Sequence, residues 1–168
     1  MLAGAAAAFA GCSGGSSDEL RVYIFCNDTD ARTNEKICKD WAKKYSEEIG
    51  REVDVDFAYE ALSDDYTTNL DRSFTEGNPF DVFYMSPKSI RVWKNLGRVL
   101  DISPYINASD KDKMNGIWQN ALSFYGYTDA AGYNRGDRIS YKTTSDGVSA
   151  DGFYTEDNKQ VGLYGLPK

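Results

Sequence analysis

Side chains that can hydrogen-bond a neutral, hydroxyl-rich ligand follow the first apolar segment of the chain. Asn27, Asp28 and Asp30 come directly after Leu20–Cys26. Amides and carboxylates bind vicinal hydroxyls, and the 12 Tyr can offer aromatic faces to the C–H surface of a sugar ring. An anionic ligand would instead favour an arginine clamp, yet only Arg32 lies near these positions. The residue types therefore favour a neutral polar solute over an amino acid or a phosphate.

The absence of histidine excludes several catalytic chemistries. The 168 residues include 19 Lys plus Arg, 26 Asp plus Glu and no His, so the formal charge is −7. Without imidazole there is no Ser-His-Asp triad, no Cys-His pair and no His-containing metal cage. The sequence has no nucleophile elbow, phosphate-binding loop or metal-ligand spacing either. We therefore expect neither an enzyme nor a bound cofactor or metal, and the charge argues against nucleic acid or an anionic surface as partner.

The N-terminal residues have the pattern of an export signal. Leu2–Ala10 is apolar but much shorter than the ~20 residues that span a bilayer. Phe9-Ala10-Gly11-Cys12 resembles a lipobox, at which bacterial prolipoproteins are cut and lipidated on Cys. We interpret 1–11 as a truncated lipoprotein signal peptide and 12–19 as a flexible tether, with an unmodified Cys12 as the alternative. Lipidation would anchor the chain to the outer face of the cytoplasmic membrane.

From residue 20 onward, apolar strand patterns alternate with amphipathic helix patterns. Strands are predicted at 20–26, 53–59 and 81–85, and helices begin after Asn27, Ser63 and Ser86. Such a series predicts an α/β fold, in which right-handed crossovers join a mostly parallel sheet with helices on both faces. Between 130 and 158 the character changes to a polar stretch punctuated by glycine, predicted to be an ordered surface loop or irregular hairpin before a last strand at 161–166.

The first helix is predicted to bury one apolar stripe and to end at Gly50. The stripe residues, spaced every fourth position, are Ile37, Trp41, Tyr45 and Ile49. All three tryptophans lie at helical spacing with other apolar residues and are predicted to be core; they are Trp41, Trp93 and Trp118.

Five segments, taken in order, resemble one family. They are YIFCNDTD (23–30), SDDYTTNL (63–70), GNPFDVFYMSP (77–87), LGRVLDISPYI (96–106) and LYGLPK (163–168). With the lipobox before them, they are similar to the N-terminal lobe of family 1 extracellular solute-binding proteins of carbohydrate ABC importers. The resemblance spans 20–125 and 160–168, and 130–158 departs from it.

The resemblance implies a type II periplasmic-binding-protein-like lobe over 20–168, with the second lobe absent and an irregular insertion at 130–158. It implies a monomer that binds a carbohydrate between two lobes and delivers it to the permease subunits of an ABC transporter. Two alternatives remain open: a surface glycan-binding lipoprotein without a transporter, and the same importer type with a polyamine, metal chelate or peptide as cargo.

The ligand site is predicted at the carboxyl edge of the sheet. Ligands of open α/β sheets bind beyond the carboxyl ends of the strands, where the strand order reverses. If the first strand lies between the second and third, the loops 26–32 and 85–89 adjoin each other, and the resemblance adds Asp65. The predicted ligand-binding residues are Asn27, Asp28, Asp30, Asp65, Met85 and Ser86.

Each candidate also has a purely structural alternative. Asp28 and Asp30 are suited to cap the first helix and Ser86 the third, while Asp65 is suited to the positive end of the second helix. Met85 is suited to fill a gap in the core.

Two further cysteines follow the first strand. Export would allow a disulfide between Cys26 and Cys38, but packed free thiols are the favoured interpretation.

Overall fold

Three parallel strands and two helices make up the first of two compact units, which extends to Tyr84. The computed structural model describes residues 19–117, 121–122, 124–127 and 137–166. The elements of the first unit are β1 (Glu19–Phe25), α1 (Asp28–Ile49), β2 (Asp54–Glu60), α2 (Ser63–Thr75) and β3 (Val82–Phe83). The second unit begins at Met85.

The parallel sheet has the strand order β2-β1-β3. β1 pairs with β2 along its whole length, from Glu19 opposite Asp54 onward, and Val22 pairs with Val82 of β3. The condition on which the predicted site depends, a first strand between the second and third, is therefore met. This order places the reversal of strand order at the carboxyl end of β1.

Helices cover both faces of this sheet. On one face, Val22 packs in a buried cluster with Ala42 of α1. The next residue of β1, Tyr23, points to the opposite face and stacks on Tyr66 of α2, with 4.5 Å between ring centroids. The prediction of a parallel sheet between two helix layers is confirmed for the first unit.

Helix α1 begins and ends with well-formed caps. The Asn27 side-chain oxygen accepts hydrogen bonds from the backbone N–H groups of Thr29 and Asp30, at 3.0 and 2.9 Å. At the other end Gly50 adopts φ 70°, a left-handed conformation, and donates to the carbonyl of Ser46. The predicted end at Gly50 is confirmed, whereas the N-terminal cap is Asn27 rather than Asp28 or Asp30.

The predicted buried stripe of α1 is instead solvent-exposed. Its four residues are between 36% and 59% exposed, with Ile37 the most exposed and Trp41 at 45%. The helix faces the sheet through the small residues Ala31 and Ala42, which allow a close approach and leave the larger side chains on the flank. The core prediction is therefore wrong for Trp41 and confirmed for Trp93, while Trp118 lies outside the described residues.

The Tyr66 hydroxyl connects α2 to β1 and to the residue that follows β3. It lies 2.8 Å from the carbonyl oxygen of Tyr84 and 3.1 Å from that of Tyr23, and burial raises the pKa of Tyr66. We expect Tyr66→Phe to lower the free energy of unfolding by about 1 to 3 kcal/mol, because the hydrogen bonds from this hydroxyl to the Tyr84 and Tyr23 carbonyls are lost. Urea denaturation measures this, with the exposed Tyr45→Phe as control. Equal stabilities for the two variants would contradict the expectation.

The second unit is built around an antiparallel sheet. Its helices and strands are α3 (Ile90–Asn95), α4 (Lys111–Gly116), β4 (Gly126–Tyr127), β5 (Ile139–Lys142), β6 (Gly152–Thr155) and β7 (Gln160–Leu163). The strand order is β4-β7-β6-β5. The mostly parallel sheet that the sequence predicts is therefore present only in the first unit.

The stretch 130–158, predicted to be an ordered surface loop or an irregular hairpin, contains two paired strands of this sheet. Tyr141 and Phe153 are at most 1% exposed and meet edge to face at 5.2 Å, in one cluster with Leu163. The glycines described in this stretch lie in turns or at the ends of strands. Gly147, for example, adopts φ 81°. Of the two predicted alternatives for this stretch, the irregular hairpin is confirmed for the described part, 137–158, and the surface loop is wrong, because both strands are buried.

The Asp101 side chain connects β7 to an earlier segment of the chain. Its carboxylate accepts hydrogen bonds from the N–H groups of Leu163 and Ser103, at 3.0 and 2.9 Å. A Cβ on Gly162 would lie 2.7 Å from the Asp101 carboxylate, which explains the glycine in this strand. The predicted last strand is confirmed, although it ends at Leu163.

Within the described ranges, none of the helices combines the length and apolar character of a membrane span.

Candidate functional site

The carboxyl ends of β1 and β2 place two chain segments side by side. The N–H of Cys26 donates to the carbonyl of Glu60 at 3.1 Å, which continues the pairing to the last residue of β2. The α1 N-terminus follows immediately after β1. Because of this register, Asp28 lies next to Tyr59, and the polar residues after the first strand share one edge of the sheet.

Asp28 and Tyr59 form the centre of this candidate site. The Tyr59 hydroxyl donates to the Asp28 carboxylate at 3.3 Å, and the negative charge of Asp28 raises the pKa of Tyr59. Tyr59 is 43% exposed, and Asp28 is exposed as well. An acceptor of hydroxyl hydrogen bonds therefore lies beside an open aromatic ring.

Asn27 and Asp30 are coupled to each other. The Asn27 amide nitrogen donates to the Asp30 carboxylate at 3.0 Å, while its oxygen caps α1. Both polar atoms of Asn27 thus already have protein partners. Asp30 is exposed on the first turn of α1, close to Asp28 in the chain. The structure brings these three predicted residues together, and their contact with a ligand stays a prediction.

Asp65 lies on the first turn of α2 and is exposed. Leu62 occupies the N-cap position and makes no side-chain cap bond. The acidic side chains of the first turn lie at the positive end of the helix dipole. The turn before α2 is held by the Glu60 carboxylate, which accepts from the N–H of Ala61 at 3.0 Å. Asp65 therefore follows the carboxyl end of β2, as expected.

Met85 and Ser86 belong to the second compact unit. Met85 is half-buried and Ser86 is exposed. Ser86 precedes a 3-10 turn at Pro87–Ser89, and its side chain makes no cap bond there. The predicted capping role of the Ser86 side chain is therefore wrong, and its grouping with the residues of the first unit stays a prediction.

Tyr59 belongs to the candidate site through its hydrogen bond to Asp28, and the sequence prediction did not include it. It ends the alternation Val53, Val55, Phe57 on the second strand and pairs with Ile24 of β1. That alternation was a usable signal, because an aromatic residue at the end of a strand lies at the edge where ligands bind.

The two described cysteines are free thiols. Cys26 is buried and Cys38 is half-buried, and burial raises the pKa of the Cys38 thiol. Neither forms a disulfide in the structure, which agrees with the favoured interpretation of two packed free thiols. Among the residues that the structure describes, no cluster of three or more Cys, Asp or Glu side chains is arranged to hold a metal ion.

A shallow depression in the second unit is lined by polar side chains that hold the fold together. Lys111 forms an ion pair with Asp146. Asn115 bonds both backbone polar groups of Tyr141, accepting from its N–H at 3.0 Å and donating to its carbonyl at 3.2 Å. Lys142 donates to the side chain of Asn158. These groups are engaged with the protein, so the depression is a weaker candidate than the Asp28 site.

Asp146 makes the second unit sensitive to acid. The Lys111 ammonium and the Thr143 N–H lower the pKa of Asp146 to about 2. Since the folded pKa is depressed, we expect its stabilisation to be complete above about pH 4 and to be lost as the pH falls toward 2. Asp146→Asn should flatten the melting temperature against pH in this window, whereas Asp112→Asn on α4 should not. Parallel curves for wild type and Asp146→Asn would contradict the expectation.

Comparison with known proteins shows a likeness to a solved structure. No protein-family model matches the sequence, and no curated protein matches it. The chain is similar to a solved family 1 extracellular solute-binding protein from Bifidobacterium longum subsp. infantis, at 19% identity and a TM-score of 0.48. The match covers 68% of this chain and 26% of that protein, so the chain spans about a quarter of the length of the structure it matches.

Proposed function

We propose that the chain is the solute-binding component of an ABC importer, held at the outer face of the cytoplasmic membrane by a lipid on Cys12, and that it captures a sugar or oligosaccharide. The observation that carries the proposal is the pairing of the exposed Tyr59 ring with the Asp28 carboxylate, 3.3 Å from hydroxyl to carboxylate, at the carboxyl edge of the parallel sheet.

The chemistry of this edge suits a carbohydrate. Asp28 and Asp30 supply carboxylate oxygens for vicinal hydroxyls, and the Tyr59 ring offers an apolar face to sugar C–H groups. The 22-residue helix α1 begins at the same place, and its polarity favours negatively charged and hydrogen-bond-accepting groups there. The reversal of strand order at β1 is where ligands of open α/β sheets bind.

Delivery to a permease would follow from closure around the ligand. The family resemblance implies a second lobe, and the residues of this chain would form one wall of the cleft. A ligand that contacts both walls stabilises the closed state, and the transporter then recognises that state. Cofactors and metals have no role in this mechanism.

A titration of the gene product, purified from the cells that naturally make it, tests the proposal. Isothermal titration with a panel of monosaccharides and oligosaccharides should show saturable binding of at least one sugar, and none of a polyamine or tripeptide. Tyr59→Ala should weaken that binding about tenfold, equivalent to ~1.4 kcal/mol, through loss of the ring contact. The matched variant Tyr105→Ala, also an exposed tyrosine, should bind as wild type does. Binding of the polyamine alone, or equal affinities for the two variants, would refute the proposal.

A further inference from the structure

The exposed stripe of α1, formed by Ile37, Trp41, Tyr45 and Ile49, is a contiguous apolar surface. The Trp41 and Tyr45 rings stack on each other with 5.0 Å between centroids and 13° between planes. Stacking presents the two rings as one continuous patch along the C-terminal half of the helix. Aromatic and branched apolar side chains grouped on one side of a helix in this way form a candidate contact surface for another apolar phase or partner.

The composition of the stripe suits the interfacial region of a bilayer. Trp and Tyr are enriched at membrane–water interfaces, where one part of the ring is apolar and the other polar. The charges around the stripe nearly balance, since Lys43 and Lys44 are followed by Glu47 and Glu48. Attraction to anionic lipid therefore contributes little, and the affinity would come from the apolar and aromatic side chains.

The stripe lies toward the end of the sheet at which the described chain starts. Ser46, on the last turns of α1, accepts a hydrogen bond from the N–H of Val53 at 2.9 Å. The next residue, Asp54, pairs with Glu19 at the start of β1. The C-terminal half of α1 and Glu19 are therefore at the same end of the unit.

The distance from Glu19 to the predicted lipid site is short. Cys12 is seven residues before Glu19, and seven residues reach at most ~25 Å even when fully extended. A lipid on Cys12 would thus hold this end of the unit within that distance of the bilayer surface.

We propose that the stripe rests on the lipid bilayer to which Cys12 is anchored and so sets the orientation of the first unit. The inference takes its geometry from the proposed anchor. The stripe begins only at Ile37, so the first turns of α1, with Asp28 and Asp30, remain in solution and open to ligand.

A second copy of the chain fits this surface less well. The four side chains expose only a few hundred Å², whereas a stable dimer buries ~800 Å² on each partner. A small patch is sufficient on a membrane, because the lipid already keeps it close to the surface and the contact only has to orient the unit.

Quenching of tryptophan fluorescence by lipid tests the inference on the full chain. The probe is phosphatidylcholine vesicles in which part of the lipid carries bromine on its acyl chains. Leu2–Ala10 holds no tryptophan, so its own insertion gives no signal. We expect Trp41→Phe to remove at least half of the quenching, and Trp93→Phe, which changes a buried tryptophan, to retain it.

A paired set of variants keeps all tryptophans in place. Ile37→Ser with Ile49→Ser should reduce vesicle binding about tenfold, whereas Val92→Ser with Leu96→Ser, an exposed apolar pair on α3 and its C-cap, should leave it unchanged. Absence of quenching in the wild type, quenching retained by Trp41→Phe, or a solution dimer that Trp41→Ser dissociates would each overturn the inference. Mass spectrometry of Cys12 tests the lipid anchor, and sugar titration tests the ligand site. A failure of either is therefore distinguished from a failure of the orientation proposal.

Discussion

Phe153→Ala is expected to lower the free energy of unfolding of the second unit by about 3 to 5 kcal/mol. Phe153 is fully buried, meets Tyr141 edge to face, and lies on β6, which pairs with both β5 and β7. Removal of its ring leaves a cavity in the centre of the cluster. Since the free energy of unfolding of a domain is only ~5 to 15 kcal/mol, this loss is a large fraction of it.

Urea denaturation followed by near-ultraviolet circular dichroism measures this change. The control is Phe124→Ala, which removes an exposed ring of the same size and should alter stability by no more than ~0.5 kcal/mol. If Phe153→Ala were as stable as this control, the 137–158 segment would not form the core of its unit.

Asp28→Ala is expected to weaken sugar binding by about ten- to hundredfold. A hydrogen bond to a charged group contributes ~1.5 to 3 kcal/mol, and each 1.4 kcal/mol corresponds to a factor of ten in affinity. The substitution also removes the acceptor of the Tyr59 hydroxyl, so the ring loses the contact that holds it at the site. The dissociation constant from isothermal titration measures the effect.

Two controls separate a ligand contact from a structural role of Asp28. Asp112→Ala removes an exposed carboxylate from the second unit and should leave the affinity unchanged. Because Asn27 rather than Asp28 caps α1, the melting temperature of Asp28→Ala should stay near that of the wild type. Unchanged sugar affinity in Asp28→Ala would exclude it from the site.

The order of elements in the first unit could be predicted from the sequence because each carries a strong local signal. The apolar run 20–26 became β1, and the repeat of Tyr66 and Leu70 became the buried side of α2. The central position of β1 was only a condition of the site prediction, because the crossover rule fixes the handedness of the connections but not the strand order. Local pattern and tertiary packing agree in these elements.

The orientation of α1 could not be predicted from the same kind of pattern. A helical stripe shows which residues share a side of a helix, but the contact with a sheet is decided by how closely the backbones approach. Ala31 and Ala42 permit that approach and are buried, so the larger Trp41 is left on the flank. Hydrophobicity alone does not rank a small residue above a large one.

The antiparallel pairing of β5 with β6 was predicted only as one of two alternatives, an irregular hairpin beside a surface loop, and for a different reason. Strands of four residues, such as Ile139–Lys142 and Gly152–Thr155, are too short for a clear alternation, and the glycines around them indicate loops. Their burial depends on pairing with β7, which no local window contains. At the candidate site the sequence likewise indicated Asp28 but not its partner, because the pairing of β1 with β2 brings Tyr59 next to it.

The central strand of the parallel sheet is the first strand to be synthesised. Asp54, the partner of Glu19, is 35 residues further along the chain, and Val82, the partner of Val22, is 60 residues further. At ~5 to 20 residues per second, about 2 to 7 seconds pass on the ribosome before the first partner of β1 exists. The sheet cannot close during that time, so β1 remains an unpaired segment of the nascent chain until its first partner has been made.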